Sequence, residues 1–174
     1  MSLSPSQRLA SIDDLLLYRL GRLSSTAGAL VVRLCEGGYG ITRREWAVVA
    51  QLYENGGLPP SVLAERMHRD RARTSRILTA LVKKQLVLRT VTPGDRRGAR
   101  VELTPAGRQL YDDLMPSIQA INGQILSALQ ADEVVQFDDV LARLQARAQS
   151  LVVELSPHWP RANRRRGPLS RSPG

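Results

Sequence analysis

The sequence predicts a mainly α-helical protein with one short β-hairpin near its middle. Hydrophobic residues make up 43% of the 174 residues but aromatic residues only 4%, so the core must consist mostly of aliphatic side chains, which suits helices. Apolar residues between Leu9 and Leu34 recur at steps of three or four, the spacing of one helix face. Two strand-like stretches, LVLRTV and ARVELT, flank a loop whose Pro93-Gly94 and Gly98 are turn residues.

The first helix is predicted to run from Leu9 to Leu34 without an internal proline and to close at Gly37-Gly38, where glycine accepts the left-handed conformation. Its apolar stripe is longer than a small domain can cover. A partner subunit is therefore the expected cover.

Three shorter helices follow, each with its own start signal. Thr42 and Glu45 form the capping box of the second, which is expected to end at Asn55-Gly56-Gly57. Pro60 suits the first position of the third helix, and Asp70 is a good N-cap for the fourth. The fourth helix should run to about Gln85 and face inward with four apolar residues: Ile77, Leu78, Leu81 and Val82. Two short helices joined by a tight turn predict a helix-turn-helix.

Two long helices close the folded part of the chain. Thr104-Pro105 should cap the fifth, whose apolar positions run from Leu110 to Leu129 and which Pro116 should kink. The sixth is predicted from about Ala131 to Leu155. Residues 156–174 combine prolines and arginines with few apolar residues, which predicts a flexible basic tail.

Positive charge is concentrated in two segments. Of the formal net charge of +9, residues 58–104 contribute +7 and the tail +5, whereas residues 105–155 carry −4. A basic block beside neutral and acidic segments makes nucleic acid the leading partner.

Other classes of protein lack support in the sequence. No apolar run approaches the roughly 20 residues of a membrane span, and the first residues do not resemble a secretory signal, so a cytoplasmic location is expected. His68 and His158 lie far apart with no Cys or carboxylate at metal-ligand spacing, and no nucleophile-base pair or phosphate-binding glycine loop occurs. We therefore expect neither an enzyme nor a metal or other cofactor.

The helix-turn-helix, the basic hairpin and the following LTPAGRQL resemble the MarR family of bacterial transcription regulators. The matching residues are Asp95, Arg96, Arg97, Leu103, Thr104 and Gly107. The similarity in helix order covers residues 9 to 155. The chain departs from the family pattern at His68, where glycine is frequent, and at Arg69 and Thr74, where apolar residues are usual.

This resemblance implies a winged helix-turn-helix that binds an inverted-repeat DNA operator as a homodimer. It implies an N-terminal dimerisation helix in 1–41, a DNA-binding domain in 42–104 with a two-stranded wing, dimerisation helices in 105–155 and the tail in 156–174. It also implies a transcriptional repressor that a small molecule releases from DNA, with an aromatic acid or its thioester as the expected effector.

The expected DNA contacts lie on the third and fourth helices and on the wing. The first two turns of a recognition helix reach base edges in the major groove, where arginine pairs with guanine. Arginines at a short loop tip suit the narrow minor groove, and an aspartate beside them can orient a guanidinium group. The predicted residues are Ser61, Arg71, Arg73, Thr74, Ser75, Arg76, Asp95, Arg96 and Arg97.

Three further residues, Tyr39, Arg44 and Trp46, are candidates for a small-molecule pocket, although a hydrophobic staple with Ile41 already accounts for Trp46. Cys35 is the only cysteine and lies near a helix C-terminus, where the dipole disfavours a thiolate, so a core role is favoured over a redox switch. The alternative function is an architectural DNA-binding protein that responds to no ligand.

Overall fold

The computed structural model describes residues 4, 10–67, 70–90 and 99–159. Within these ranges two short strands and six α-helices follow one another, and the prediction of a mainly α-helical chain with one hairpin is confirmed. The elements are α1 (Leu16–Val32), α2 (Arg43–Asn55), α3 (Pro60–Arg66), α4 (Arg71–Lys83), β1 (Val87–Thr90), β2 (Arg100–Leu103), α5 (Pro105–Leu126) and α6 (Ala131–Leu155). The chain divides into two compact units, Met1–Ile125 and Leu126–Gly174, which are described separately.

The first helix is shorter than its apolar spacing predicts. A 3-10 turn spans Ile12–Asp14, and α1 begins only at Leu16 because the backbone of Leu15 is extended, with ψ 129°. At the other end a π-helical turn, Arg33–Gly38, continues the helix. The left-handed glycine is Gly40, with φ +64°, rather than Gly37 or Gly38. That φ turns the chain so that the N–H of Ile41 donates to the carbonyl of Cys35 at 3.1 Å.

The start and stop signals of α2 and the start signal of α3 are confirmed. The N–H of Glu45 donates to Oγ1 of Thr42 at 3.2 Å, and the N–H of Thr42 donates to Oε2 of Glu45 at 2.6 Å. The helix ends at Asn55, and Gly56 reverses the chain with φ +67°. Pro60 is the first residue of α3, where its missing N–H leaves no helical hydrogen bond unmade.

The two strands pair antiparallel, with Val87 opposite Leu103 and Thr90 opposite Arg100. A third segment extends this hairpin, although no sequence pattern predicted it. Leu58 forms a bridge with Val101, donating its N–H at 3.0 Å and accepting one at 2.9 Å. The link between α2 and α3 is thereby held against β2.

The core of the first unit lies between α2, α3, α4, the two strands and the first half of α5. Its largest fully buried aliphatic side chains include Leu52, Leu63, Leu78, Leu81 and Leu114. On α4 the buried stripe is Thr74, Leu78 and Leu81. The prediction that Val82 faces inward is wrong: its side chain is 41% exposed because it lies beside this narrow stripe.

Helix α6 lies where the sequence predicts it, whereas α5 ends three residues before the last apolar position predicted for it. Helix α5 is continuous through Pro116 and ends at Leu126, so Leu129 lies beyond it. No residue of α6 is buried within its unit. None of the helices in the described part of the chain combines the length and hydrophobicity that a membrane span requires.

Candidate nucleic-acid interface

The start of α4 is fixed by Asp70. The backbone N–H of Arg73 donates to Oδ1 of Asp70 at 2.8 Å, which confirms the predicted N-cap. The guanidinium Nε of Arg73 also lies 3.2 Å from Oδ2 of the same carboxylate. Asp70 therefore satisfies a helix-terminal donor and orients the guanidinium group of Arg73.

The first two turns of α4 present three arginines and a serine to solvent. Arg71, Arg73, Ser75 and Arg76 are all exposed. Residues 73 and 76 are three positions apart, so they project from neighbouring points on one helix face. The sequence-predicted cationic surface of this helix is thus present and accessible.

Thr74 does not belong to this surface, and its prediction as a DNA contact is wrong. Its side chain is only 1% exposed, and Oγ1 donates to the carbonyl of Asp70 at 3.2 Å. It occupies the first position of the buried stripe of α4. The sequence held the signal, because the family pattern places an apolar residue at this position.

Ser61 is the second residue of α3 and is exposed, so its hydroxyl is accessible. The residues of the turn that lead from α3 into α4, His68 and Arg69, lie outside the described residues.

The C-terminal end of α4 is held by an ion pair that the sequence analysis missed. Nζ of Lys84 lies 2.9 Å from Oε2 of Glu45 and donates to the carbonyl of Gly40, also at 2.9 Å. The side chain of Glu45 is 6% exposed and that of Lys84 is 37% exposed. Burial alone would raise the pKa of Glu45, but hydrogen bonds from Lys84 and Thr42 outweigh it and hold that pKa below its usual value.

This pair joins the end of α4 to the start of α2. The capping box accounts for Glu45 from local sequence alone, so nothing in the sequence pointed to a partner 39 residues away.

The base of the hairpin is fixed by contacts around the LTPAG motif. Oγ1 of Thr104 donates to the carbonyl of Gln85 at 2.7 Å and accepts the N–H of Gly107 at 3.0 Å. A Cβ at Gly107 would collide with the carbonyl oxygen of Leu86, so helix α5 reaches the hairpin this closely only with glycine there. The guanidinium group of Arg100 donates to the carbonyl of Gly57 and adds a tie to the α2–α3 link.

These contacts explain Thr104 and Gly107 as residues that position the hairpin. The other part of the motif, Asp95, Arg96 and Arg97, lies outside the described residues.

Of the three candidates for a small-molecule pocket, only Arg44 lines a cavity that the described residues form beside α4. This cavity has a volume of about 750 Å³ and lies between the end of α1, the start of α2 and the middle of α4. Its charged lining residues are Glu36, Arg43, Arg44, Glu45 and Arg76.

Trp46 and Tyr39 do not line this cavity, and both contact α5 instead. Trp46 is 7% exposed and its ring stacks on that of Tyr111 with the centroids 5.4 Å apart. The hydroxyl of Tyr39 donates to the carbonyl of Asp113 at 3.3 Å. Trp46 is a core residue, as the staple interpretation favoured.

Cys35 has the environment of a core residue. It is fully buried, and its pKa is raised by burial and by the carboxylate of Glu36, against an opposing effect of Arg43. A raised pKa disfavours the reactive thiolate. No group of three potential metal ligands from His, Cys, Asp and Glu occurs among the residues that the structure describes.

Comparison with known proteins identifies this arrangement. Residues 41–98 match the model of the MarR family. The helix-turn-helix-type transcriptional repressor MdtR of Bacillus subtilis is 30% identical over 111 residues, which cover 64% of this chain and 72% of that protein.

Two solved structures show the same fold. A probable transcriptional regulator from Pseudomonas aeruginosa has a TM-score of 0.68 and 30% identity, over 77% of this chain and 99% of that one. The PcaV regulator of Streptomyces coelicolor, solved with its natural ligand, has a TM-score of 0.63 and 25% identity, over 80% of this chain and 99% of that one. The expected winged helix-turn-helix fold is confirmed, and these relatives are transcription regulators rather than enzymes. The chain belongs to the MarR family of transcriptional regulators.

Proposed function

We propose that this regulator is a homodimeric repressor that binds one inverted-repeat operator in double-stranded DNA and leaves it when a small anionic ligand binds. The observation that carries the proposal is the exposed cationic surface on the first two turns of α4, formed by Arg71, Arg73, Ser75 and Arg76. The first turns of a recognition helix meet base edges in the major groove, and a guanidinium group pairs with O6 and N7 of guanine there.

The structure supports this use of α4 through its two anchors. Asp70 orders the first turn, and Lys84 ties the last turn to Glu45. A rigid helix places its arginines in a repeatable geometry, so less conformational entropy is lost when they bind DNA.

The wing is proposed to contact the adjacent minor groove through Arg96 and Arg97, with Asp95 orienting one guanidinium group. Support comes from the described strands, since Thr90 and Arg100 are paired and the loop between them therefore starts and ends side by side. Arg100 and Leu58 fasten β2 to the α2–α3 link. Arginine favours a narrow minor groove because the negative potential is enhanced there.

Dimerisation is proposed through α1 and α6, with residues 1–41 and 105–155 as the dimerisation regions and 42–104 as the DNA-binding domain. Large apolar side chains on both helices are exposed, among them Leu23 at 52% and Leu30 at 50% on α1 and Leu144 at 40% on α6. A soluble chain rarely leaves such a stripe in water. A twofold dimer reads two half-sites about 34 Å apart, which requires an inverted repeat.

The cavity of about 750 Å³ beside α4 is the proposed ligand site. The three arginines of the lining outnumber its two glutamates, of which Glu45 is paired with Lys84, so the cavity would favour an anion. Val32, Ile77 and Ala80 provide apolar lining, so an aromatic acid or its thioester fits this chemistry. The structure of PcaV with its natural ligand supports a small-molecule response for this chain. The ligand would release DNA by favouring a spacing of the two α4 helices that the operator does not accept.

The test begins with an operator selected from random double-stranded DNA by the wild-type protein. Arg73→Ala should weaken binding to it by about 1–3 kcal/mol and relax preference at one position in each half-site. Arg97→Ala should weaken binding to all related sites and lower the salt dependence by about one unit for each subunit. Titrations of both variants against single-base operator variants at several salt concentrations separate these outcomes.

Three results would contradict the proposal. Selection that recovers no common sequence would identify the architectural alternative instead. Identical profiles for Arg73→Ala and Arg97→Ala would mean that helix and wing are wrongly assigned. In a purified transcription assay the operator-bound protein should reduce RNA synthesis, and an increase would make it an activator.

A further inference from the structure

A third cationic element lies beside α4, at the start of α2. Arg44 is the second residue of α2 and is exposed. It lines a cleft of about 310 Å³ together with Arg73, Arg76 and Ile77. Two helices that are far apart in the sequence thus bring three guanidinium groups to one opening.

The charges around this cleft favour an anion. None of the described residues that line it is acidic. Arg73 has Asp70 as an ion-pair partner, whereas Arg44 forms no hydrogen bond or ion pair with another of the described residues. Glu45, the next residue after Arg44, is buried and engaged by Lys84, so its charge is already compensated. Three cations that repel one another in an open cleft are stabilised when an anion binds between them.

The position relative to α4 identifies the anion. The major groove is about 12 Å wide, and an α-helix with its side chains is about 10–12 Å across. A recognition helix therefore fills the groove, and neighbouring elements meet the phosphate backbone along its edge. Arg44 borders the cleft from α2, on the side of α4 where Arg73 and Arg76 project.

We propose that Arg44 binds a DNA backbone phosphate at the edge of the major groove that α4 occupies. Arg44 then belongs to the DNA interface and positions α4 without reading sequence, because phosphate contacts fix register and orientation but carry no base information. This inference rests on the proposed binding of α4 to DNA and adds the N-terminus of α2 to that interface.

Arg44→Gln, compared with Arg108→Gln, tests this inference on the operator selected by the wild-type protein. Arg108 is an exposed arginine near the start of α5, so its loss removes the same charge from the same unit elsewhere. Affinity falls as salt rises, and Arg44→Gln should make the plot of log affinity against log salt less steep by about 0.9 for each subunit. For a dimer this reduces the loss of affinity between 50 and 200 mM salt by roughly 12-fold. The ranking of single-base operator variants should not change.

The control variant and the wild type distinguish failure of the Arg44 inference from failure of the proposed function. If Arg44→Gln has the same salt slope as Arg108→Gln, Arg44 does not bind DNA and the inference is wrong, even though operator selection succeeds. In a second experiment, inorganic phosphate is added to the wild type and to Arg44→Gln without DNA. If phosphate raises the melting temperature of the wild type only, and Arg44→Gln leaves the salt slope of DNA binding unchanged, the cleft binds a free anion rather than DNA. That result would also overturn the inference. If the wild type selects no operator, the proposed function itself fails.

Discussion

The winged-helix region and helix α6 have the same apolar periodicity but very different burial. Between Cys35 and Leu114, thirteen hydrophobic residues of the described chain form one buried cluster. Helix α6 has apolar side chains at steps of three and four over 25 residues, and none is buried within its unit. Phe137 and Leu141 are each 38% exposed, and Val153 is 76% exposed.

This difference shows that helical periodicity predicts an apolar face but not what covers it. In the winged-helix region, α2, α4 and the hairpin cover one another, so one chain supplies both sides of each contact. For α6 the complementary surface is proposed to come from a second subunit. Folding of the first region should then depend on intrachain contacts, whereas the α6 surface should depend on protein concentration.

The largest expected effect is on dimer dissociation, and it tests whether a second subunit buries the apolar face of α6. Leu144→Asp would place an uncompensated charge in the subunit interface of each protomer, at a cost of about 3–5 kcal/mol. Dimer dissociation should therefore rise by more than about a hundredfold, and operator affinity should fall with it. Sedimentation equilibrium measures the first effect and operator titration the second.

Val153→Asp is the matched control, because Val153 follows Leu144 by nine positions and therefore lies on the opposite face of the same helix. It should leave the dimer intact. If Leu144→Asp remains a dimer of wild-type strength, the α6 stripe is not the interface.

The next largest effect is on the free energy of unfolding, and it compares a packed glycine with an unpacked glycine in helix α5. Gly107→Ala forces a Cβ against the carbonyl of Leu86 and should destabilise the protein by about 1–3 kcal/mol. Nothing lies within 4 Å of a Cβ at Gly123, so Gly123→Ala should stabilise the same helix by about 0.5–1 kcal/mol. Urea unfolding of both variants at one fixed protein concentration gives the comparison. Equal shifts would show that the contact of α5 with the hairpin is not tight.

A smaller effect concerns the ion pair at the end of α4. Lys84→Met leaves the buried carboxylate of Glu45 without its cation and should cost about 1 kcal/mol at pH 7, the low end for a buried unsatisfied group because Lys84 is partly exposed. Lys83→Met, at an exposed neighbouring lysine, is the control.

The stabilisation by the Lys84–Glu45 pair should depend on pH, in a direction that the pKa of Glu45 determines. The folded-state pKa of Glu45 lies below its ordinary value of 4.5, so the stabilisation is complete above that value and is lost as pH falls through the folded-state pKa. The difference between wild type and Lys84→Met should therefore narrow in acid. A difference that stays constant from pH 7 to pH 4 would show that the ionised pair does not stabilise the fold.

The smallest expected effect is at Cys35. Because the thiol is buried and its pKa is raised, a thiol reagent should modify it only after unfolding in urea, and peroxide should leave operator binding unchanged. Rapid modification of the native protein, with a parallel loss of DNA binding that Cys35→Ala prevents, would instead make Cys35 a redox switch.

Local signals predicted much of this fold, since their physical causes lie within a few residues. The capping box of Thr42 and Glu45, the N-cap of Asp70 and the first-turn Pro60 each satisfy or remove a backbone donor near a helix start, and each helix begins as predicted. The exposed arginines of α4 followed from the same local spacing. The residues of the wing tip stay a prediction, because they lie outside the described part of the chain.

The tertiary structure decided the features that depend on distant contacts. The family pattern has an apolar residue at position 74, but only the packing of α4 on its neighbours shows that the polar Thr74 is also buried there and lies outside the DNA surface. The pairing of Lys84 with Glu45, the bridge from Leu58 to Val101 and the cleft shared by Arg44 and Arg76 join residues more than 30 positions apart. The sequence by itself thus determined where α2, α3 and α4 start and which helix faces are apolar or charged, because caps and periodicity act over one or two turns. Which of those faces meet was decided by the packing of the whole fold.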